Sequence, residues 1–292
     1  MRILVQVFSF LILLSLTTNT YAQEHVSLLK KSVTEWNSWR QQNFELIPDL
    51  RGADLIKANL QEANLRVAQL QRAQLQGANL IDANLRVAQL QGAALEGANL
   101  EGADLRWANL EGADLEGADL RGTNLKSSNL LGANLRGANL RGANLRGADL
   151  RGINLKKADL KEADLQNANL EGADLRGTNF YKADLRWADL KEADLKGADL
   201  QEAKLFKVSL QNANLEGANL QWAKFLDANL EGTKLQGVLN LSCNQINSVK
   251  SLDKDTEFPD YLDVKITDEN KWMCKETQSN LTSRRRNGWG GR

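Results

Sequence analysis

Residues 132–152 read GANLRGANLRGANLRGADLRG, a direct succession of five-residue units. From Leu50 to Leu235 every fifth residue is apolar, at 38 positions of which 36 are Leu and two are Phe. Ala stands two residues before most of these centres, Asn or Asp directly before 30 of them, and Gly two residues after 19 of them. The array covers about two thirds of the 292-residue chain and therefore decides the fold.

A period of five fits neither regular secondary structure. Positions five apart diverge by about 140° on a helix and point to opposite faces of a straight strand. The chain must therefore turn a corner once per unit, always in the same sense, with the central Leu and the small residue before it pointing inward. Gly suits a corner with positive φ, but Trp, Glu and Lys also occupy that position, which indicates that positive φ is not obligatory in every unit. The expected core ladder includes Leu55, Leu100, Leu145, Phe180, Leu200 and Phe225.

The motif A(D/N)LXX, present here as ADLRG, ANLEG and ADLKE, closely resembles the pentapeptide-repeat family over residues 48–238. The resemblance implies a right-handed quadrilateral β-helix with four units per coil. The expected fold is therefore an all-β solenoid of about 9–10 coils, with short α-helical caps at both ends. NLRVAQLQ occurs at 64–71 and again at 84–91, which fits twenty residues per coil, whereas other echoes fall at spacings of 30 and 45. At the usual strand spacing such a rod is about 45 Å long.

The N-terminal residues read as an export signal. Arg2 precedes an apolar run, and small residues precede an expected cleavage point after Ala22. An uncleaved anchor is the alternative, but the run is shorter than the roughly 20 residues that span a bilayer. Because the two cysteines, Cys243 and Cys274, lie in the exported part, we expect them to form a disulfide bond rather than to remain as two unpaired buried thiols.

The segments that flank the array are expected to cap it, because a solenoid exposes core and unpaired strand edges at both ends. Leu29, Val33 and Trp36 fall on one face of a predicted helix over 26–40. Ser242 with Gln245 forms a capping-box pattern that predicts a helix to about residue 252, followed by a second helix over 268–276. The expected segments are a signal peptide at 1–22, an N-terminal helical cap at 23–47, the β-helix at 48–238, a helical C-terminal cap at 239–278 and a disordered basic tail at 279–292.

Little in the sequence points to catalysis. His25 is the single histidine, so a triad or a histidine-based metal site is excluded, and no cofactor is expected. The units follow one another without an inserted residue, so no loop is available to shape a cleft. A non-enzymatic protein is therefore predicted; the alternative is a carbohydrate-active β-helix enzyme that uses outward carboxylates.

Two outward features could carry a binding function. With four units per coil, residues twenty apart stack on one wall, and a candidate interaction wall then collects Arg66, Val67, Arg86, Val87, Arg106, Trp107, Arg186, Trp187, Phe206 and Leu226. A candidate basic belt contains Arg121, Lys126, Arg136, Arg141, Arg146, Arg151, Lys156 and Lys157. Arg136, Arg141 and Arg146 follow Asn rather than Asp, so local neutralisation is expected to be absent. Ordinary surface variation is the alternative for both features.

The sequence favours an exported scaffold that binds a protein partner or another copy of itself. Formal net charge is zero, with 37 basic and 37 acidic residues, so no global field draws the chain to nucleic acid. Some members of the resembled family imitate DNA and bind gyrase through a strongly acidic rod, but the array here holds 24 basic and 26 acidic residues. No nucleic-acid partner and no stable membrane anchor after signal cleavage are expected. The expected location is extracytoplasmic: the periplasm, the medium or, in a cyanobacterium, the thylakoid lumen.

Overall fold

The computed structural model describes residues 23–266 and 272–277. Each five-residue unit contributes one wall segment and one corner. The corner is a four-residue turn: at Leu50, for example, the backbone N–H of Ala53 donates to the Leu50 carbonyl at 3.1 Å. The residue before each centre then pairs with the corresponding residue of the next coil. Backbone geometry therefore repeats with the same period as the sequence.

Parallel bridges join residues twenty apart along the array, from Asp49 with Gln69 to Asn219 with Leu239. Twenty residues per coil are four units per coil, so the quadrilateral β-helix expected from the motif is confirmed. The Leu N–H donates to a carbonyl of the following coil, as from Leu50 to Gln69 at 2.8 Å. The stacked coils thus satisfy their backbone groups in the way that a parallel sheet does.

The inward ladder fills the lumen. The predicted ladder residues Leu55, Leu100, Leu145, Phe180, Leu200 and Phe225 are all at most 1% exposed. The small residues two positions earlier are buried beside them, and where they are polar their hydroxyl groups are satisfied. Thr178 donates to the Leu155 carbonyl at 2.8 Å and Thr233 to the Leu210 carbonyl at 2.9 Å. The array therefore has one continuous apolar core with few polar atoms in it.

Positive φ occurs at the corner of every unit, so the expectation that it is not obligatory was wrong. The second residue after each of the 38 centres has φ between 53° and 69°, whether it is Gly or not. Val67 and Val87 have φ of 58° and 60°. The N–H of this residue donates to the next coil, as from Val67 to the Arg86 carbonyl at 2.9 Å. The stacking of coils thus imposes the left-handed conformation regardless of the side chain.

The preference for Asn or Asp before each centre has a local cause. The side-chain Oδ1 accepts from the backbone N–H two residues later, as from Arg136 to Asn134 at 3.3 Å. This Asx bond stabilises the start of each corner. Where the unit reads D-L-R, the arginine also returns to the aspartate through two bonds: Arg151 Nε and Nη2 lie 2.8 and 2.6 Å from the Asp149 oxygens.

The N-terminal cap contains two helices, where one was predicted over 26–40. Residues 23–31 are helical (α1), and α2 spans Val33–Gln42. The chain breaks at Ser32 because its side chain caps α2 by accepting from the Glu35 N–H at 3.2 Å. Trp36 is fully buried and donates to the Asn64 carbonyl at 2.9 Å. The cap thus covers part of the open edge of the first coil.

The C-terminal cap begins with α3, Cys243–Ile246, whose capping box between Ser242 and Gln245 is formed as predicted. The expectation that this helix reaches residue 252 was wrong, because the chain returns to the solenoid. Ser251 pairs with Asn229, and Glu257 pairs with Lys234. Coil pairing therefore continues beyond residue 238, the limit expected from the sequence.

The second C-terminal helix predicted over 268–276 is not formed; the described part of that segment is a strand. Strand β1, Leu262–Ile266, pairs antiparallel with β2, Trp272–Glu276. Exposure alternates along β2, with Met273 and Lys275 outward, but the five residues Trp-Met-Cys-Lys-Glu show no matching alternation of apolar and polar types that could have predicted a strand. The Cys243 and Cys274 sulfur atoms are bonded at 2.09 Å, which joins α3 to β2.

The predicted signal peptide and basic tail lie outside the described residues. Among residues 23–266 and 272–277, no helix is long and apolar enough to cross a membrane.

Candidate interaction surface

The candidate wall lies along one corner of the rod. Its residues are the first and second after the centres from Leu65 to Phe225, taken twenty apart, so each stands on the corresponding residue of the previous coil. Four of its large apolar side chains are well exposed: Val87 39%, Trp107 47%, Trp187 43% and Leu226 54%. Exposed apolar side chains therefore recur along this corner.

Two arginines hold the indole of Trp107. The guanidinium carbons of Arg86 and Arg106 lie 5.2 and 5.8 Å from the ring centroid, within cation–π distance. Arg106 is itself fixed by Asp104 through bonds of 2.8 and 2.5 Å. Val67 and Val87 occupy the two preceding coils at the position of Trp107. We name Val67, Val87 and Trp107, with Arg86 and Arg106, the N-terminal patch.

A second aromatic cluster lies further along the same corner. Trp187 and Phe206 pack edge to face with ring centroids 5.5 Å apart, and the Arg186 guanidinium lies 5.5 Å from the Trp187 ring. Leu226 follows Phe206 in the next coil. We name Trp187, Phe206 and Leu226 the C-terminal patch. Such edge-to-face pairs add about 0.5–1.5 kcal/mol beyond burial, so this cluster is held in place before any partner binds.

The predicted wall is not continuous. Between the two patches the corner carries only polar residues and one glycine: Lys126, Ser127, Arg146, Gly147, Gln166 and Asn167. Trp107 and Trp187 are four coils apart, about 19 Å at the usual strand spacing. The structure therefore brings the predicted wall residues together as two separate patches.

The basic belt wraps around the rod, and its arginines are neutralised, contrary to the expectation that local neutralisation is absent. Arg136 contacts Glu116 at 3.3 Å, Arg146 contacts Asp164 at 3.4 Å, and Arg141 lies 3.9 Å from Asp159. Each partner comes from an adjacent coil, which sequence neighbours do not reveal. Arg121 and Arg151 instead pair with Asp119 and Asp149 of their own units. Lys126, Lys156 and Lys157 form no ion pair within the described residues.

The paired aspartates are held in their charged form. Hydrogen bonds from Arg121 and Arg151 keep the pKa values of Asp119 and Asp149 below the usual value for a carboxyl group. Partial burial of Asp184 acts to raise its pKa, but hydrogen bonds and charge from Arg186 outweigh burial and lower it. A general acid requires a raised pKa. These carboxylates therefore serve as structural acceptors of backbone and arginine N–H groups.

Three residues near the C-terminal patch were overlooked. Trp222 is 67% exposed, and Lys204 and Lys224 lie on the wall between it and Phe206. The available signal was the loss of the Asn or Asp before the centre in AKLFK (203–207) and AKFLD (223–227).

Within the described residues, no group of three His, Cys, Asp or Glu side chains is placed to hold a metal ion.

The family model for pentapeptide repeats matches residues 49–86, 88–126, 118–156, 158–197 and 198–237, with eight copies. The chain belongs to the pentapeptide-repeat family. Its members form right-handed quadrilateral β-helices, as the sequence resemblance implied. No curated protein sequence is significantly similar to the chain.

Several solved structures of pentapeptide-repeat proteins are similar to the chain. HetL, involved in heterocyst differentiation regulation in the cyanobacterium Nostoc, is 40% identical over 63% of this chain and 88% of its own, with a TM-score of 0.34. A thylakoid-lumen protein of Arabidopsis thaliana is 39% identical over 38% of this chain and 72% of its own, with a TM-score of 0.23. QnrB1, a plasmid-mediated fluoroquinolone resistance protein, is 21% identical over 60% and 90%, with a TM-score of 0.42.

Proposed function

We propose that this pentapeptide-repeat protein is an exported, non-catalytic scaffold that binds a protein partner through the corner carrying the N-terminal and C-terminal patches. The observation that carries the proposal is that Val67 and Val87, the only β-branched residues among the 19 non-glycine corner residues of the array, stack with Trp107 at left-handed positions of one corner. Gly adopts this conformation freely, whereas a β-branched residue there is a genuine outlier. Strain of this kind is concentrated at functional sites.

The composition of the N-terminal patch supports a protein contact. Trp and Arg are enriched among the residues that contribute most binding energy at protein interfaces. Here Arg86 and Arg106 already contact the Trp107 ring, so little side-chain freedom remains to be lost on binding. The patch therefore combines exposed apolar area with a preorganised arrangement.

The extracytoplasmic location is supported by the export-signal pattern at residues 1–22 and by the bond between Cys243 and Cys274. Disulfides persist in oxidising compartments and are rare in the cytosol.

Affinity capture from the extracytoplasmic fraction tests the proposal. The bait is the purified chain, compared with the variant Val87→Gly plus Trp107→Gly. Glycine removes the side chains of the patch, so the amount of captured partner protein is expected to fall at least about tenfold in the variant. Glycine also relieves left-handed strain, so the melting temperature of the variant should not fall. Trp187→Gly makes the same comparison for the C-terminal patch.

A matched control is Lys57→Gly plus Arg72→Gly, two further left-handed corner positions, with φ of 54° and 59°, on other corners of the rod. The control should capture the same proteins as the wild type. Identical captured proteins for the wild type and for all three variants would reject the proposed interface.

A further inference from the structure

Two units that stack on each other in adjacent coils depart from the repeat in the same way. Residues 203–207 read AKLFK and residues 223–227 read AKFLD, with Lys where 30 of the 38 units have Asn or Asp, and with an apolar residue after the centre. Lys204 and Lys224 are paired across adjacent coils, so they lie side by side. Phe206 and Leu226 stand side by side on the neighbouring corner. The double departure therefore forms one surface.

This surface is not required by the fold. A lysine side chain cannot accept a hydrogen bond, so the backbone N–H groups of Phe206 and Leu226 lose the Asx bond. In the preceding coil, Arg186 makes that bond to Asp184 at 3.3 Å. Local stabilisation is thus given up twice in succession on the same wall.

The surface has uncompensated positive charge. Lys204 lies 3.5 Å from Asp184, but that carboxylate is already held by two bonds from Arg186. Among the residues that the structure describes, Lys224, Lys207 and Lys250 form no ion pair. A partner that approaches this surface is therefore favoured if it carries negative charge.

Concave surfaces lie on both sides of the Phe206 and Leu226 corner. A cavity of 540 Å³ on one side is lined by Lys204, Lys224 and the exposed Trp222, and contains one carboxylate, Glu202. That carboxylate lies 3.7 Å from Lys182. A cavity of 630 Å³ on the other side is lined by Trp187, Lys207, Lys250 and Asp227 among others. A ligand that crosses the corner can therefore reach lysines in both cavities.

We propose that this lysine face, defined as Lys204, Lys224, Lys207, Phe206, Leu226 and Trp222, binds an acidic segment of a partner protein. Carboxylates of the segment pair with the lysines, and its apolar side chains pack on Trp222 and Leu226. The inference rests on the proposed function and names the chemistry of the partner at its C-terminal patch.

A protein segment fits this surface better than an acidic glycan does. An exposed aliphatic residue, Leu226, stands at its centre, where it can pack on apolar side chains but offers no hydrogen bond to a hydroxyl group. At positions 204 and 224 lysine also replaces the Asn or Asp that could accept a hydrogen bond from a hydroxyl group. The chain's own C-terminal segment is a poor occupant of this surface, because Arg284, Arg285 and Arg286 carry the same charge as the lysines and would be repelled by them.

The test uses the purified full chain and a fluorescein-labelled peptide of alternating Glu and Leu, with the same peptide carrying Lys for Glu as the comparison. Fluorescence anisotropy at about 50 mM salt should show at least about tenfold tighter binding of the acidic peptide, and binding should weaken at about 500 mM salt. Lys204→Glu plus Lys224→Glu should reduce affinity at least about tenfold, and Trp222→Ala by a smaller factor. Lys156→Glu plus Lys157→Glu makes the same charge change elsewhere and should leave affinity within about twofold.

The inference would be overturned by unchanged affinity in the Lys204 and Lys224 double variant, by equal affinity for both peptides, or by tighter binding of polygalacturonate than of the acidic peptide. A doubled solution mass that the peptide reverses would also overturn it, because a second copy would then be the occupant. Thermal melting of each variant excludes misfolding as the cause. If peptide binding fails while the Val87 and Trp107 variant still loses its captured protein, this inference falls and the proposed function stands.

Discussion

The coils around residues 132–152 and the coils around Val67 and Val87 have the same backbone but different corners. At Gly142 the following N–H donates to the Leu140 carbonyl at 3.0 Å, and at Val67 the following N–H donates to the Leu65 carbonyl, also at 3.0 Å. Their φ values are 66° and 58°. The corner at Gly142 is free of strain because glycine adopts positive φ readily, whereas the β-branched Val67 is strained there. Backbone pairing between coils therefore sets the conformation, and corner side chains are free to serve another purpose.

The largest effect is expected where both kinds of coil depend on the same feature, the inward ladder. Leu145 is 1% exposed, and Leu145→Asp would bury an unpaired carboxylate or force its coil open. We expect destabilisation of more than about 4 kcal/mol, measured by thermal unfolding. Lys126→Asp, an outward change one coil away, should shift unfolding by less than about 1 kcal/mol. An unchanged melting curve for Leu145→Asp would refute the inward assignment.

The next effect should be confined to the C-terminal cap. The disulfide links residues 31 apart in sequence, and a loop of that length corresponds to about 3–4 kcal/mol in the chain-entropy account. Cys243→Ser plus Cys274→Ser should therefore speed amide hydrogen exchange in α3 and β1 far more than in the coils around residues 132–152. Equal protection of the cap with and without the bond would contradict this expectation.

Substitutions that add a side chain at a glycine corner, or remove one from a valine corner, test whether coil pairing imposes the corner conformation. A Cβ added at Gly142 meets nothing within 4 Å, so Gly142→Ala should cost only left-handed strain, about 1–2 kcal/mol. Val87→Gly relieves the same strain, and the gain is offset by about 0.5–1 kcal/mol of glycine entropy. Denaturant unfolding should thus show a loss for the first variant and little change or a small gain for the second. A loss of similar size for both would disprove the view that corner conformation is imposed.

The smallest effect is expected at the N-terminal cap and depends on pH. Burial lowers the pKa of His25, and its Nδ1 accepts from the Asp49 N–H at 3.3 Å, which requires the neutral ring. The unfolded chain therefore binds the proton more readily than the folded cap. The contribution of His25 is complete above about pH 6.5 and is lost as pH falls toward its lowered folded pKa.

Melting temperatures measured across this pH range should decline more in the wild type than in His25→Gln, by a degree or so. Parallel declines in the two proteins would show that His25 does not contribute to this pH dependence.

Most features predicted correctly from sequence recur in every unit; the capping box at Ser242 and the Cys243–Cys274 bond are exceptions with strong local signals. The period of five and the inward Leu follow from sterics alone, because no helix or straight strand can collect such positions on one side. The positive φ at Val67 was missed because intrinsic preference disfavours it, and pairing between coils overrides that preference. The ion pair of Arg136 with Glu116 was missed for a related reason: the two residues are twenty apart and become neighbours only after the coil size is known.

The caps were less predictable because each cap segment occurs only once, so no repetition reinforces its sequence pattern. Five residues of β2 do not distinguish a strand from a helix by pattern, and Ser32 interrupts a helical pattern that otherwise continues. Lys204, Lys224 and Trp222 of the lysine face were overlooked for the opposite reason. Their signal lay in the departures at Lys204 and Lys224 from the repeat, whereas the predicted wall contained only Phe206 and Leu226 of this face.

Because residues twenty apart stack on one another, the position of a corner side chain in the sequence also sets the direction in which it points around the rod axis. Duplication of one whole coil would lengthen the distance between the two patches by about 4.8 Å and leave them on the same corner. Duplication of one five-residue unit would instead turn everything after it by a quarter of a revolution. The number of units between Trp107 and Trp187 therefore sets both how far apart and in which directions the two patches face.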